Sequence, residues 1–177
     1  MIRFRMEVAG DVVIDRGIAR FAEGLADYRP IWPVVEDDFY AQEKDQFKSE
    51  GAEGGEKWAT LAPDYAQWKE AHYPGKPILE RTGDLVSSLT NSHDPNAVLV
   101  EQRKALTLGT RLAYAVFHQT GTKKMPARPE VQFREAFKRS VMHHIQTYLV
   151  QIATQQGFRS GWKPTDVPKL ARILGSH

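Results

Sequence analysis

Ile2, Phe4, Met6 and Val8 are apolar at every second position, with Arg3, Arg5 and Glu7 between them. That alternation predicts a half-buried strand over residues 2–8. Gly10 and Asp11 break it, and Ile14, Ile18, Phe21, Ala22 and Leu25 then recur at three- and four-residue steps, which predicts an amphipathic helix to about Asp27. Arg29-Pro30 interrupts the pattern. Pro33 suits a first helical turn, and Val35, Phe39, Glu43 and Phe47 continue at steps of four in a second, more acidic helix ending near Lys48. Glu36, Asp37 and Asp38 read as carboxylates at that helix's N-terminus, where the dipole favours negative charge.

From residue 49 to residue 77 the pattern dissolves into glycines and prolines, yet Trp58, Leu61, Tyr65 and Trp68 lie among them. This is a long insertion with aromatic anchors, expected to be mobile in the free subunit and ordered by a neighbour. Within it Pro63 to His72 can make a short helix, and Thr82-Gly83-Asp84 can begin another through Leu85 and Leu89, with Thr82 offering an N-cap oxygen. Residues 97–100 and 105–108 are two apolar runs around a charged turn and predict a β-hairpin. A short helix is expected within residues 111–119, followed by a basic, proline-bounded loop over 123–129.

The longest periodic segment comes last. Phe133, Phe137, Val141, Ile145, Tyr148, Leu149 and Ile152 predict a helix from about Gln132 to Gln156, with its stripe packed onto the sheet as the main core element. The order of elements gives an α+β fold: a small antiparallel sheet packed by helices, including one long C-terminal helix, with a long central insertion. Residues 1–157 read as one domain and residues 158–177 as a basic arm.

Composition narrows the function classes. The chain has 177 residues, 24 Lys+Arg against 22 Asp+Glu, 41% hydrophobic residues and no cysteine, so one core suffices and disulfide scaffolds are excluded. No apolar run approaches the length of a membrane span, and a soluble chain without a secretory leader is expected. A net charge of +2 is too small to drive nucleic-acid binding globally, but its distribution is uneven. Residues 36–56 hold eight acidic and two basic residues, whereas residues 120–139 hold six basic and two acidic ones. Such opposed patches can steer head-to-tail packing of identical subunits.

Catalytic chemistry finds little support. Gly51 to Gly55 lacks the Lys-Ser/Thr of a phosphate loop, and His143 and His144 are adjacent where two ligands to one ion need i, i+4 spacing. One of these histidines is expected to be half buried and the other solvated. Ser87 and Ser88 lack the flanking glycines of a nucleophile elbow, and His118 has no identifiable orienting partner. No enzyme activity, cofactor or metal is expected.

Four motifs in sequence order carry a resemblance. Trp58-Ala-Thr-Leu61 is followed by Pro63, Tyr65 and Lys69; Ile78-Leu79-Glu-Arg-Thr82-Gly83-Asp-Leu85 comes next. Leu108-Gly109-Thr110 precedes Tyr114-Ala115 and His118-Gln119-Thr-Gly121, and Pro126-Ala127-Arg128-Pro129 closes the series. Together they resemble the phage virion morphogenesis family, the tail-completion proteins of Mu-like and related tailed phages, over about residues 47–129. Ala62 departs from the pattern, standing where a serine or threonine would cap the helix that Pro63 begins.

The residues themselves read as structural. Gly83, Gly109 and Gly121 offer permissive backbone at segment ends, and Trp58, Leu61, Tyr65 and Leu85 are apolar anchors. The resemblance implies a virion protein assembled in the host cytoplasm and acting at the neck or tail end. Its implied partners are further copies in a ring, expected to be hexameric, and the tail-tube and head-neck proteins. Trp58, Leu61, Tyr65, Trp68, Lys123, Lys124 and Arg128 are the expected assembly residues. The alternative is a nucleic-acid-contacting module using Lys123, Lys124, Arg128 and the basic arm on DNA in a channel.

Overall fold

A computed structural model gives the fold and describes residues 22–155. The strand expected over 2–8 and the basic arm over 158–177 lie outside the described residues. So does most of the first expected helix, of which residues 22–24 are described, as helix.

A short 3-10 turn at Arg29–Ile31 leads directly into α1 (Trp32–Lys48). Pro33 lies in its first turn, where a missing N–H leaves no intrahelical bond unmade. α1 is the hub of the described fold. It buries Val35, Phe39, Glu43 and Phe47 on the expected four-residue stripe, together with Trp32, Tyr40, Gln42 and Gln46. Glu36, Asp37 and Asp38 stand beyond the first turn, so they do not serve as capping charges. Asp38 is used elsewhere, as described below.

After a second 3-10 turn (Ala52–Gly54), the chain forms α2 (Pro63–His72) and α3 (Asp84–Thr90). Ala62 caps α2 with no side-chain bond, and Pro63 starts the helix in its place. The residue at the N-cap of α3 is Gly83, with φ +94°, a conformation in which a side chain would be strained. Thr82 therefore does not cap the helix; its Oγ1 donates to Asp84 Oδ2 at 2.7 Å.

The hairpin pairs β1 (Ala97–Glu101) with β2 (Leu106–Thr110), antiparallel, in a register from Ala97 opposite Thr110 to Glu101 opposite Leu106. Its turn is tied to the start of α1: Trp32 Nε1 donates to the Gln102 carbonyl at 2.7 Å, and the Tyr28 N–H to that of Arg103 at 2.7 Å. Ser88 of α3 holds the other end through Thr110 Oγ1 at 2.8 Å. α4 (Ala115–Thr120) and α5 (Glu135–Gln155) complete the described elements.

The main apolar cluster joins α1, Trp58, α3 and Ala115 through Phe39, Phe47, Leu85 and Leu89. A second gathers Ile31, Trp32 and Val35 under Val141, Ile145 and Tyr148 of α5. The long helix therefore packs chiefly on α1, with Leu106 of the hairpin at the margin, and is not the central core element. Its expected stripe is only half buried from Phe137 to Leu149, Ile152 is its one fully buried residue, and Phe133 before it is exposed. α1 takes the centre although its buried face contains glutamine and glutamate, because both apolar clusters are built on it.

Candidate functional site

The four motif segments, separated along the chain by loops and by the hairpin, meet around one open cleft of about 790 Å³. Leu61, Tyr65 and Lys69 form one wall from the insertion and α2. Leu79, Arg81, Thr82, Gly83 and Leu85 come from the approach to α3, and Tyr114 and His118 from α4. Lys124, Met125, Pro126 and Arg128 close it.

Arg128 organises this convergence. It is 4% exposed. Its backbone N–H donates to the His118 carbonyl at 2.7 Å, while its side chain reaches back to the insertion, Nε to Ala59 O at 2.7 Å and Nη2 to Thr60 O at 2.8 Å. Burial pulls its pKa below the ordinary arginine value. Among the described residues no carboxylate pairs with it, so its charge is compensated only by carbonyl dipoles. It is thus an interior cation reached only from the cleft, whereas Lys123 and Lys124 are exposed.

The other motif residues act as supports. Trp58 is 4% exposed, packs edge-on to Phe47 at 5.4 Å, and donates from Nε1 to the Pro129 carbonyl at 2.9 Å. This anchor is buried and hydrogen-bonded within its own chain. Gln119 exchanges two bonds with the backbone of Val131, donating from Nε2 to its carbonyl at 2.8 Å and accepting its N–H at 3.1 Å. Gly121, at φ +73°, allows residue 127 to approach so closely that a Cβ would lie 2.7 Å from the Ala127 nitrogen. Gly109, by contrast, has open space where a Cβ would stand and no left-handed φ, so the permissive-backbone reading fails there.

Lys69 was legible only as a motif position, yet it is buried, with Nζ donating to the carbonyls of Lys76 and Pro77. Its ammonium closes the loop between α2 and α3, and burial lowers its pKa. Besides Trp58, two expected assembly residues lie outside the cleft lining. Trp68 stacks between Tyr65 at 5.6 Å and His72 at 4.7 Å on the outer side of α2, where Tyr65 and Trp68 remain 42% and 41% exposed. Lys123 lies outside the cleft lining.

His118 lines the cleft with its ring edge-on to Tyr114 at 5.9 Å. Its Nδ1 is buried with no hydrogen-bond partner among the described residues. Burial, and then the Arg128 charge, hold the imidazole below its ordinary pKa. No base or nucleophile bonds to its ring among the described residues.

Sequence reasoning missed one polar cluster. Asp38 of α1 accepts from Ser140 Oγ at 2.5 Å and meets His144 Nε2 at 2.9 Å, with Ser140 Oγ and His144 Nε2 3.2 Å apart. Serine, histidine and aspartate are present, but the same imidazole nitrogen faces both partners. A triad needs the aspartate on one ring nitrogen and the serine on the other, so this group joins α1 to α5 and does not activate a nucleophile. The i, i+4 spacing of Ser140 and His144 was its only signal in the sequence. His143 is solvent-exposed and His144 half buried, as the adjacent pair suggested. No group of three or more metal-ligating side chains occurs among the described residues, and no helix among them is long and apolar enough to cross a membrane.

Comparison with known proteins agrees with the motif reading. The chain is 38% identical over 85 residues to the Mu-like prophage FluMu G protein 1 of Haemophilus influenzae, covering 47% of this chain and 53% of that protein. It thus spans about half the length of the curated relative it matches. No solved structure matches the chain. The sequence model of the phage virion morphogenesis family matches residues 11–152, across all four motif segments and the helices around them. The chain belongs to the phage virion morphogenesis family, and its role is that of a phage structural and assembly protein.

Proposed function

We propose that this protein acts without catalysis in tail completion or head-tail joining at the neck of the particle, as a ring of identical subunits, with six copies as the expected number. The observation that carries this reading is the convergence of all four motif segments on one cleft, braced by Arg128. A family concerned with virion morphogenesis and a resemblance to a Mu-like G protein support the same role. Exposed lysines at 123 and 124 and exposed carboxylates at Asp37, Asp45 and Glu56 leave charge of both signs for contacts between copies.

Electron microscopy of particles from a strain lacking the gene tests the proposal. Separate full heads and full-length tails are the expected result. Normal, joined particles would overturn it. DNA contact within a channel is the weaker reading, because Arg128, one of the three cations it would use in the described fold, is buried against carbonyls. Salt-dependent retention of DNA by the purified protein would favour it.

A further inference from the structure

We infer that the cleft is a receptor for an extended, acidic peptide segment presented by a neighbouring protein, with a carboxylate of that segment seated against Arg128 and Lys124, beside His118. The inference rests on the assembly reading and gives that reading a contact chemistry.

Charge is the first argument. Lys69, Arg81, Lys124 and Arg128 line the cleft against one carboxylate, Glu80. Lys69 is already committed to two carbonyls of its own loop, which leaves Arg81, Lys124 and Arg128 for an incoming group. Arg128 matters most among them, because it is buried and a buried charge without a counter-ion is unfavourable unless something compensates it. Its Nε and Nη2 are occupied by Ala59 and Thr60, whereas Nη1 has no partner among the described residues. A carboxylate there would complete the fork with the strongest class of hydrogen bond available to it.

His118 lines the same cleft, but its unpartnered Nδ1 is buried, so the ring is a reporter of an occupant and is assigned no bond to it. The second argument is shape. Leu61, Leu79, Leu85 and Met125 give the cleft an apolar floor, and its volume lies in the range of about 300–1,000 Å³ that takes a compact ligand. A chain with apolar side chains flanking one carboxylate matches floor and cations together. Nucleic acid fits less well, since a phosphate backbone is met by cations on an open surface and here the key cation is inside.

The test is a titration of the full chain, carbon-13 labelled at its histidine rings, with an acetylated and amidated Leu-Glu-Leu tripeptide. The controls are the Leu-Gln-Leu counterpart and an eight-nucleotide oligothymidylate. Saturable shifts of the His118 ring signals with the glutamate peptide, at least tenfold weaker for the glutamine peptide, are expected. Lys124→Gln, an exposed change that leaves the thermal melt unaltered, should weaken that binding at least threefold. The inference is overturned if the His118 signals do not move, if both tripeptides bind equally, if Lys124→Gln has no effect, or if the oligonucleotide displaces the peptide. Because these are direct binding measurements, they stand or fall separately from the particle morphology that tests the neck assignment.

Discussion

Arg128 reaches the carbonyl of Ala59 with its Nε at 2.7 Å, joining positions 69 residues apart in the chain. With the bond from Nη2 to Thr60 at 2.8 Å it staples the entry to α2 onto the loop after α4. Arg128→Lys can keep a positive charge but cannot span both carbonyls, because an ammonium lacks the planar fork. The variant should lose roughly 1.5–3 kcal/mol in urea unfolding, and Arg128→Met should lose more, since it removes both donors to Ala59 and Thr60. An unchanged midpoint for both would show that the staple contributes nothing.

Trp58 joins the insertion to the same loop by packing and by one hydrogen bond. Trp58→Phe keeps a ring beside Phe47 but loses the bond to Pro129 and part of the buried indole, so at least about 1 kcal/mol should be lost. Trp58→Ala removes the packing as well and should destabilise the subunit by about 3–5 kcal/mol. Slow exchange of the Trp58 indole proton in the native chain is expected. Fast exchange there would support an insertion ordered only by a neighbour.

Glu43 is 0% exposed, and Glu130 is buried near it; each has an Oε2 without a hydrogen-bond partner among the described residues. Burial raises the Glu43 carboxyl from its ordinary 4.5 to about 8, with Glu130 adding to the rise and the Gln42 bond and Arg134 opposing it. Burial likewise raises Glu130 to about 7. Both groups hold protons in the native state that they lose when unfolded, so stability should fall as pH rises from about 4.5 through 7 to 8. The slope is at most about 1.4 kcal/mol per pH unit for each carboxyl. Glu43→Gln should flatten the profile and raise stability at pH 8. Melts that are most stable above pH 8 would contradict the assignment of protonated carboxyls.

Val141 and Ile145 face Ile31, Trp32 and Val35 across the α1–α5 contact. Aspartate at either position would set an unpaired carboxylate against apolar side chains and should destabilise by at least 3 kcal/mol, read from denaturant unfolding. Lys138→Asp and Arg139→Asp, on the exposed side of α5, should stay close to the native stability. Equal stability of all four variants would place the stripe away from α1.

Lys123 and Lys124 are exposed on the loop after α4. Reversing both to glutamate should weaken self-association in sedimentation without changing the thermal melt, and the effect should shrink as salt is raised. A native protein that stays monomeric under every salt condition would remove the basis for this contact.

Much of this protein was written in its local pattern. The four-residue stripe of α1, the proline start of α2, the hairpin at residues 97–110 and the long final helix all follow from side-chain period and turn chemistry, which act between near neighbours. The motif order also pointed to the family without any contact being known. Tertiary structure alone decided which helix is central, because buried Gln42 and Gln46 find partners in other segments and, with buried Glu43, break the apolar rule by which a core is read from sequence. It also turned Arg128 from an apparent surface cation into an interior staple. Its hydrogen-bond acceptors lie nearly seventy residues away, and neither hydropathy nor spacing encodes a contact of that range. For the same reason the cleft was invisible: its walls are four segments, each legible as a motif, whose meeting point is fixed only when the chain between them has folded.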